Sequence, residues 1–174
     1  TGTVTNWPGP LENVDVNIYD EFGVALTSGR TNSSGVYISQ RGLLSGTYYA
    51  VTSNSLGYLE KLYNNIDCPH GSCSATSGTP ISVTVGLTTT GIDFALTEGG
   101  RISGTLRDAG TTLPLVNTTQ DLVEVQIYDV VGSYVTSGQT NSSGVYISNT
   151  GLLAGTYSAV TSNSLGYFDE LFDN

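Results

Sequence analysis

The sequence predicts an all-β fold in two tandem sandwich domains, on the strength of three features. The stretch from Ile18 to Asn65 is written again, without a gap, from Ile127 to Asn174, with about two-thirds of the paired positions identical. A repeat roughly 100 residues long exceeds a solenoid unit and suits a whole small domain. The composition holds 22 Gly and 11 Tyr, no Met, and many Thr, Ser and Val. β-branched and aromatic residues, broken by Gly, Asn or Ser about every eight to twelve positions, describe short strands and tight turns. Finally, no window carries a helical apolar stripe longer than about two turns.

Taken in order, Gly2 to Thr5 reads as a first strand and Asn6 to Pro10 as a turn, because proline removes ladder donors. Val14, Val16 and Ile18 alternate with Asp15, Asn17 and Tyr19, the period-two pattern of a strand with one buried face. Val24 to Thr31 follows, then Asn32 to Gly35 as a hairpin connection with Gly35 in the left-handed position, and Val36 to Ser39 as the return strand. In the strand from Thr47 to Ser53, Tyr48, Ala50 and Thr52 are expected to face inward and Tyr49 outward. Tyr49 answers to Ser158 in the second copy, a swap suited to a solvent-facing site. Leu59 to Ile66 fits either a strand or a short helical turn. Ile81 to Val85 and Ile92 to Leu96 read as the last strands of the first copy.

The second copy starts at Gly104, repeats the buried alternation at Val123, Val125 and Ile127, and carries a longer loop from Asp108 to Asp121. It reaches Asn174 opposite Asn65, without counterparts of residues 66–98. The expected domains are therefore 1–98 and 104–174, with 99–103 as a short linker. The second is expected to be truncated or completed by another chain, whether a neighbouring subunit or part of a longer polymer, because an unpaired edge invites strand addition.

About seven or eight strands in the first copy point to a two-sheet sandwich. The order Thr31, Gly35, Tyr37, then Gly42-Leu43, Gly46-Thr47-Tyr48, Gly57-Tyr58 and a closing Ile-Asp-Phe-Ala-Leu resembles the carboxypeptidase regulatory-like domain. The resemblance covers nearly all of the first copy and the first three-quarters of the second. It implies a transthyretin-like, Ig-like sandwich related in shape to collagen-adhesin B repeats. The motifs are turn and core positions, so what they imply is fold.

A net charge of −10, with five cations against fifteen carboxylates, argues against nucleic acid, whose phosphates need clustered cations. No apolar run approaches the ~20 residues of a membrane span. Cys68 and Cys73 are the only cysteines. A disulfide closing this short loop, worth ~2 kcal/mol on the chain-entropy estimate, is preferred and implies an oxidising compartment. The alternative, a metal site with His70 as third ligand, falls short of the four ligands structural zinc takes. His70 is also the only imidazole, and it is read as an exposed loop residue rather than a catalytic base.

Calcium is weighed at Asp93, Glu98 and Asp108 near the domain junction and at Asp20 and Glu21 in a turn. A dense acidic loop is missing, so no metal site is assigned. The Asn-Ser-Ser-Gly pieces at Asn32 and Asn141 match the glycosylation triplet and are read as turns. Tyr19, Tyr49, Tyr63 and Tyr128 form a candidate binding surface for a glycan or another protein.

Two functions follow. The first is a non-enzymatic structural repeat of an extracellular or cell-surface protein, a stalk, adhesin or fibre segment associating with neighbouring repeats or identical subunits. The second is an accessory carbohydrate- or protein-binding module of a secreted hydrolase.

Overall fold

The computed structural model describes residues 1–6, 9–68 and 73–172. The chain divides into two compact units, Thr1–Gly99 and Gly100–Asn174. Both are all-β, with paired sheets closing around apolar side chains. Among the described residues no helix is long and apolar enough to cross a membrane.

In unit 1, β1 (Gly2–Asn6) is the centre of one sheet. On one side it pairs antiparallel with β2 (Gly9–Pro10) and β5 (Val36–Tyr37). On the other it pairs parallel with β10 (Phe94–Ala95). The second sheet runs in the order β4 (Ala25–Arg30), β3 (Asp15–Tyr19), β6 (Gly46–Ser53), β7 (Lys61–Leu62) and β8 (Ile66–Asp67), with β9 (Ile81–Val83) beside the start of β6. The alternation in β3 does what its period demands: Val16 and Ile18 enter the core with Val14, Tyr48, Ala50 and Phe94. Thr52 is buried as well, where its hydroxyl accepts from the Lys61 amide (2.8 Å).

Among the described residues, unit 2 repeats the plan with fewer strands. β11 (Ser103–Thr105) pairs with β14 (Val145–Ile147), and β12 (Val123–Tyr128) lies between β13 (Tyr134–Gln139) and β15 (Ser158–Asn163). Val123, Val125 and Ile127 are buried, as their spacing predicts. Residues 100–103, read from the sequence as linker, are bonded into this unit: Gly100 and Leu152 exchange amide-to-carbonyl bonds of 2.8 Å, and the Arg101 guanidinium donates to the Ser148 carbonyl.

One turn motif recurs three times in each unit. An Asp or Asn side chain accepts from the amides two and four residues on: Asp20 from Phe22 and Val24, Asn32 from Ser34 and Val36, Asn54 from Leu56 and Tyr58. Asp129, Asn141 and Asn163 repeat these bonds. The residue three along is a glycine in the left-handed region, as at Gly35 (φ 70°) and Gly144 (φ 73°), where a Cβ would be strained.

The Asn32–Gly35 turn is not the hairpin its sequence suggests. β5 leaves β4 and pairs with β1, so the turn hands the chain from one sheet to the other. The reason lies at Gly29, where a Cβ would stand 2.3 Å from the Ile38 carbonyl oxygen. The two segments cross at a distance only glycine permits, and Gly138 meets Ile147 in the same way. Leu59 to Ile66, ambiguous in the sequence, forms the antiparallel pair β7–β8, turned by Asn64 and Asn65 at positive φ.

Candidate functional site

Cys68 and Cys73 form a disulfide with a Cα–Cα distance of 5.3 Å. The loop it closes and His70 lie outside the described residues. Cys68 is buried in a second apolar cluster with Val51, Leu62 and Ala75, on the face of the β3–β6 sheet opposite the main core. Lys61, also buried, reaches Asp67 at 2.6 Å beside it. Among the described residues this lobe has no counterpart in unit 2, where Glu170 stands at the Lys61 position.

The structure separates the four tyrosines. Tyr19 and Tyr49 are cross-strand partners on β3 and β6, and both pack under the disulfide lobe. Tyr49 is therefore half-buried rather than solvent-facing, because Leu62, Cys68, Cys73 and Ala75 cover that face. Tyr63 lies on the other face, its ring edge-on to Phe94 at 6.1 Å within the main core. Tyr128 is in unit 2, edge-on to Tyr134 at 5.9 Å, and its hydroxyl donates to Gln126 (2.6 Å). Of the three in unit 1, Tyr19 and Tyr49 adjoin each other and Tyr63 lies apart from them.

Three of the carboxylates weighed for calcium, Asp20, Asp93 and Asp108, are engaged in local structure. Asp20 closes its turn as described above, and Asp93 accepts from the amide and hydroxyl of Thr3 (2.7 and 2.9 Å). Asp108 accepts from the amides of Gly110 and Thr111 and from the Thr111 hydroxyl. The Thr111 hydroxyl, then the Tyr167 hydroxyl, then the Thr111 amide hold its carboxyl down at about 2. Among the described residues no three His, Cys, Asp or Glu side chains are grouped to hold a metal ion. Burial raises the Glu60 carboxyl above its ordinary range and raises the Tyr37 phenol, whose hydroxyl donates to the Ile92 carbonyl (2.7 Å).

The feature that sequence reasoning missed is the placement of β10. Val4 pairs with Phe94 and Thr5 with Ala95 in parallel register. The Leu96 amide donates to the Thr5 carbonyl (2.8 Å), and the Asp93 side chain ties the neighbouring Thr3. The first and last strands of unit 1 are thus bonded side by side and point the same way. The alternation of residues 92–96 gave a strand there but no partner.

No family model matches this chain, and no curated protein matches it. Among solved structures it is similar to the Bacillus anthracis TIE protein, at 16% identity and a TM-score of 0.35 over 99% of this chain. The chain spans 30% of that structure's length.

Proposed function

We propose that this chain is a load-bearing, non-enzymatic segment of an extracellular or cell-surface protein, in a stalk, adhesin or fibre. The observation that carries the proposal is the parallel ladder between β1 and β10. Tension entering unit 1 ahead of Gly2 and leaving after Leu96 pulls these strands past each other. All the bonds between them are then loaded together, whereas peeling would break them one at a time.

What the two copies share supports the same reading. The residues held in common close turns and fill cores: the six Asp and Asn turn motifs, the paired crossing glycines, and the buried valines of β3 and β12. The Cys68–Cys73 bond suits an oxidising compartment, and the acidic, cation-poor composition suits exposure to bulk water. On this reading each unit is a carboxypeptidase regulatory-like, transthyretin-type sandwich, arrayed with neighbouring repeats or identical subunits.

Antibodies raised against the chain should label intact cells of the source organism or its shed surface material. Labelling only after permeabilisation would overturn the proposal.

A further inference from the structure

We propose that Asn32 and Asn141 carry N-linked glycans, attached to side-chain nitrogens that their turns leave idle and lying over the outer faces of β5 and β14. The proposal rests on the extracellular placement argued above and goes beyond it, to a covalent modification.

The three turn motifs of each unit use their side chains differently. At Asp20 and Asp129 one carboxylate oxygen accepts both backbone amides, so the turn needs an acceptor and nothing more. At Asn54 and Asn163 the side-chain amide works at both ends. Its oxygen accepts from the two backbone amides, and its nitrogen donates to the carbonyls of Tyr58 (3.1 Å) and Tyr167 (3.0 Å). At Asn32 and Asn141 the oxygen accepts in the same way, but among the described residues the nitrogen has no partner.

Each idle nitrogen heads an Asn-Ser-Ser triplet whose three residues are all exposed, with the hydroxyl of Ser34 or Ser143 two positions on. That is the acceptor pattern of N-glycosylation, and it falls on the one turn of the three whose asparagine has a nitrogen to spare. Asn54-Ser-Leu and Asn163-Ser-Leu lack the hydroxyl. A further triplet, Asn117-Thr-Thr, is placed otherwise. Asn117 is half-buried, its oxygen accepts from the Val123 amide (3.1 Å) and its nitrogen donates to Gln139 (3.2 Å).

The surface beside each site is suited to a sugar. The Asn32 amide donates to the Val36 carbonyl (3.0 Å) and the Asn141 amide to the Val145 carbonyl (2.9 Å), which sets each asparagine at the head of β5 or β14. Val36 and Ile38 stand two apart, as do Val145 and Ile147, so each pair shares one face of the chain. All four are between 40% and 64% exposed. Aliphatic side chains left out of the core at matching places in both units point to a common cover. The C–H faces of pyranose rings linked to the neighbouring asparagine supply one.

Attachment joins the asparagine nitrogen to the anomeric carbon of a sugar carried as a lipid-linked diphosphate. The carbon–oxygen bond to the diphosphate breaks as the carbon–nitrogen bond forms, and the proton lost from nitrogen leaves with the lipid diphosphate. The side-chain oxygen keeps both of its backbone donors, so the turn closes as before.

The test is site-resolved mass spectrometry of the protein purified from its source organism, before and after an amidase that releases N-linked glycans and leaves aspartate at each occupied asparagine. Glycopeptides are expected at Asn32 and Asn141, with conversion to aspartate at those two positions and not at Asn117. When the chain is secreted from glycosylating host cells, Ser34→Ala and Ser143→Ala should each lose one glycan, and Ser34→Thr should keep it. Asn32→Asp should lose the glycan and keep the fold, because Asp20 closes the same turn with a carboxylate. Bare Asn32 and Asn141 in protein recovered from the cell surface overturn this proposal and leave the structural role standing. Protein found only inside cells, with both asparagines bare, overturns the two together. A glycan on Asn117 with neither of the others occupied also overturns it.

Discussion

Val4 and Phe94 stand side by side on the parallel strands that open and close unit 1, and both are shut off from solvent, at 0% and 2% exposure. Phe94→Ala should therefore cost about 3–5 kcal/mol, the range for emptying a buried aromatic site. Phe172→Ala, at an exposed ring in unit 2, should cost less than about 1 kcal/mol. Urea unfolding followed through the amide signals of each unit checks both values.

Reducing Cys68–Cys73 should lower the stability of unit 1 by ~2 kcal/mol, from the entropy returned to a short loop in the unfolded chain. Unit 2 has no cysteine and should keep its midpoint under the same reductant. Paired denaturant curves with and without dithiothreitol measure this.

Tyr49→Ser imposes on unit 1 the residue that unit 2 carries at Ser158. Because Tyr49 packs under the disulfide lobe, the change should cost about 1–2 kcal/mol. The reverse change, Ser158→Tyr, lies on an exposed position and should stay within about 0.5 kcal/mol. A thermal melt of each variant distinguishes the two environments.

Asp108 gives a pH signature. Its folded value of about 2 lies below the ordinary 3.8, so the charged form is favoured by folding. That contribution is whole above pH 3.8 and is lost as pH falls through about 2. Carboxyl carbon shifts should place the midpoint of Asp108 near 2, and Thr111→Val, which removes the leading hydroxyl donor, should move it upward.

The strands and turns were legible because their causes are local. The alternation at Val14, Val16 and Ile18 buries one face wherever the strand is placed. The Asn-x-x-Gly turns carry their own acceptor and their own left-handed residue. Partners were not legible, because pairing joins residues far apart in the chain. Nothing near Phe94 says that it lies beside Val4, and nothing near Gly35 says that β5 will leave β4. Gly29 held that information, but an isolated glycine in a strand marks a close approach without saying to what. Tyr49 was misplaced for a related reason. The two-faced pattern assumes one wet side, and in unit 1 that side is covered by Leu62, Cys68, Cys73 and Ala75.

The central claim, that unit 1 resists tension through the β1–β10 ladder, is tested most directly by pulling single molecules in two directions. Handles at Thr1 and Gly99 shear the ladder, whereas handles at Thr1 and a Thr90→Cys site, just ahead of β10, peel it open. The account predicts a higher rupture force in the first geometry, with Phe94→Ala lowering that force toward the second. Equal forces in both geometries, or a first-geometry force untouched by Phe94→Ala, would contradict it.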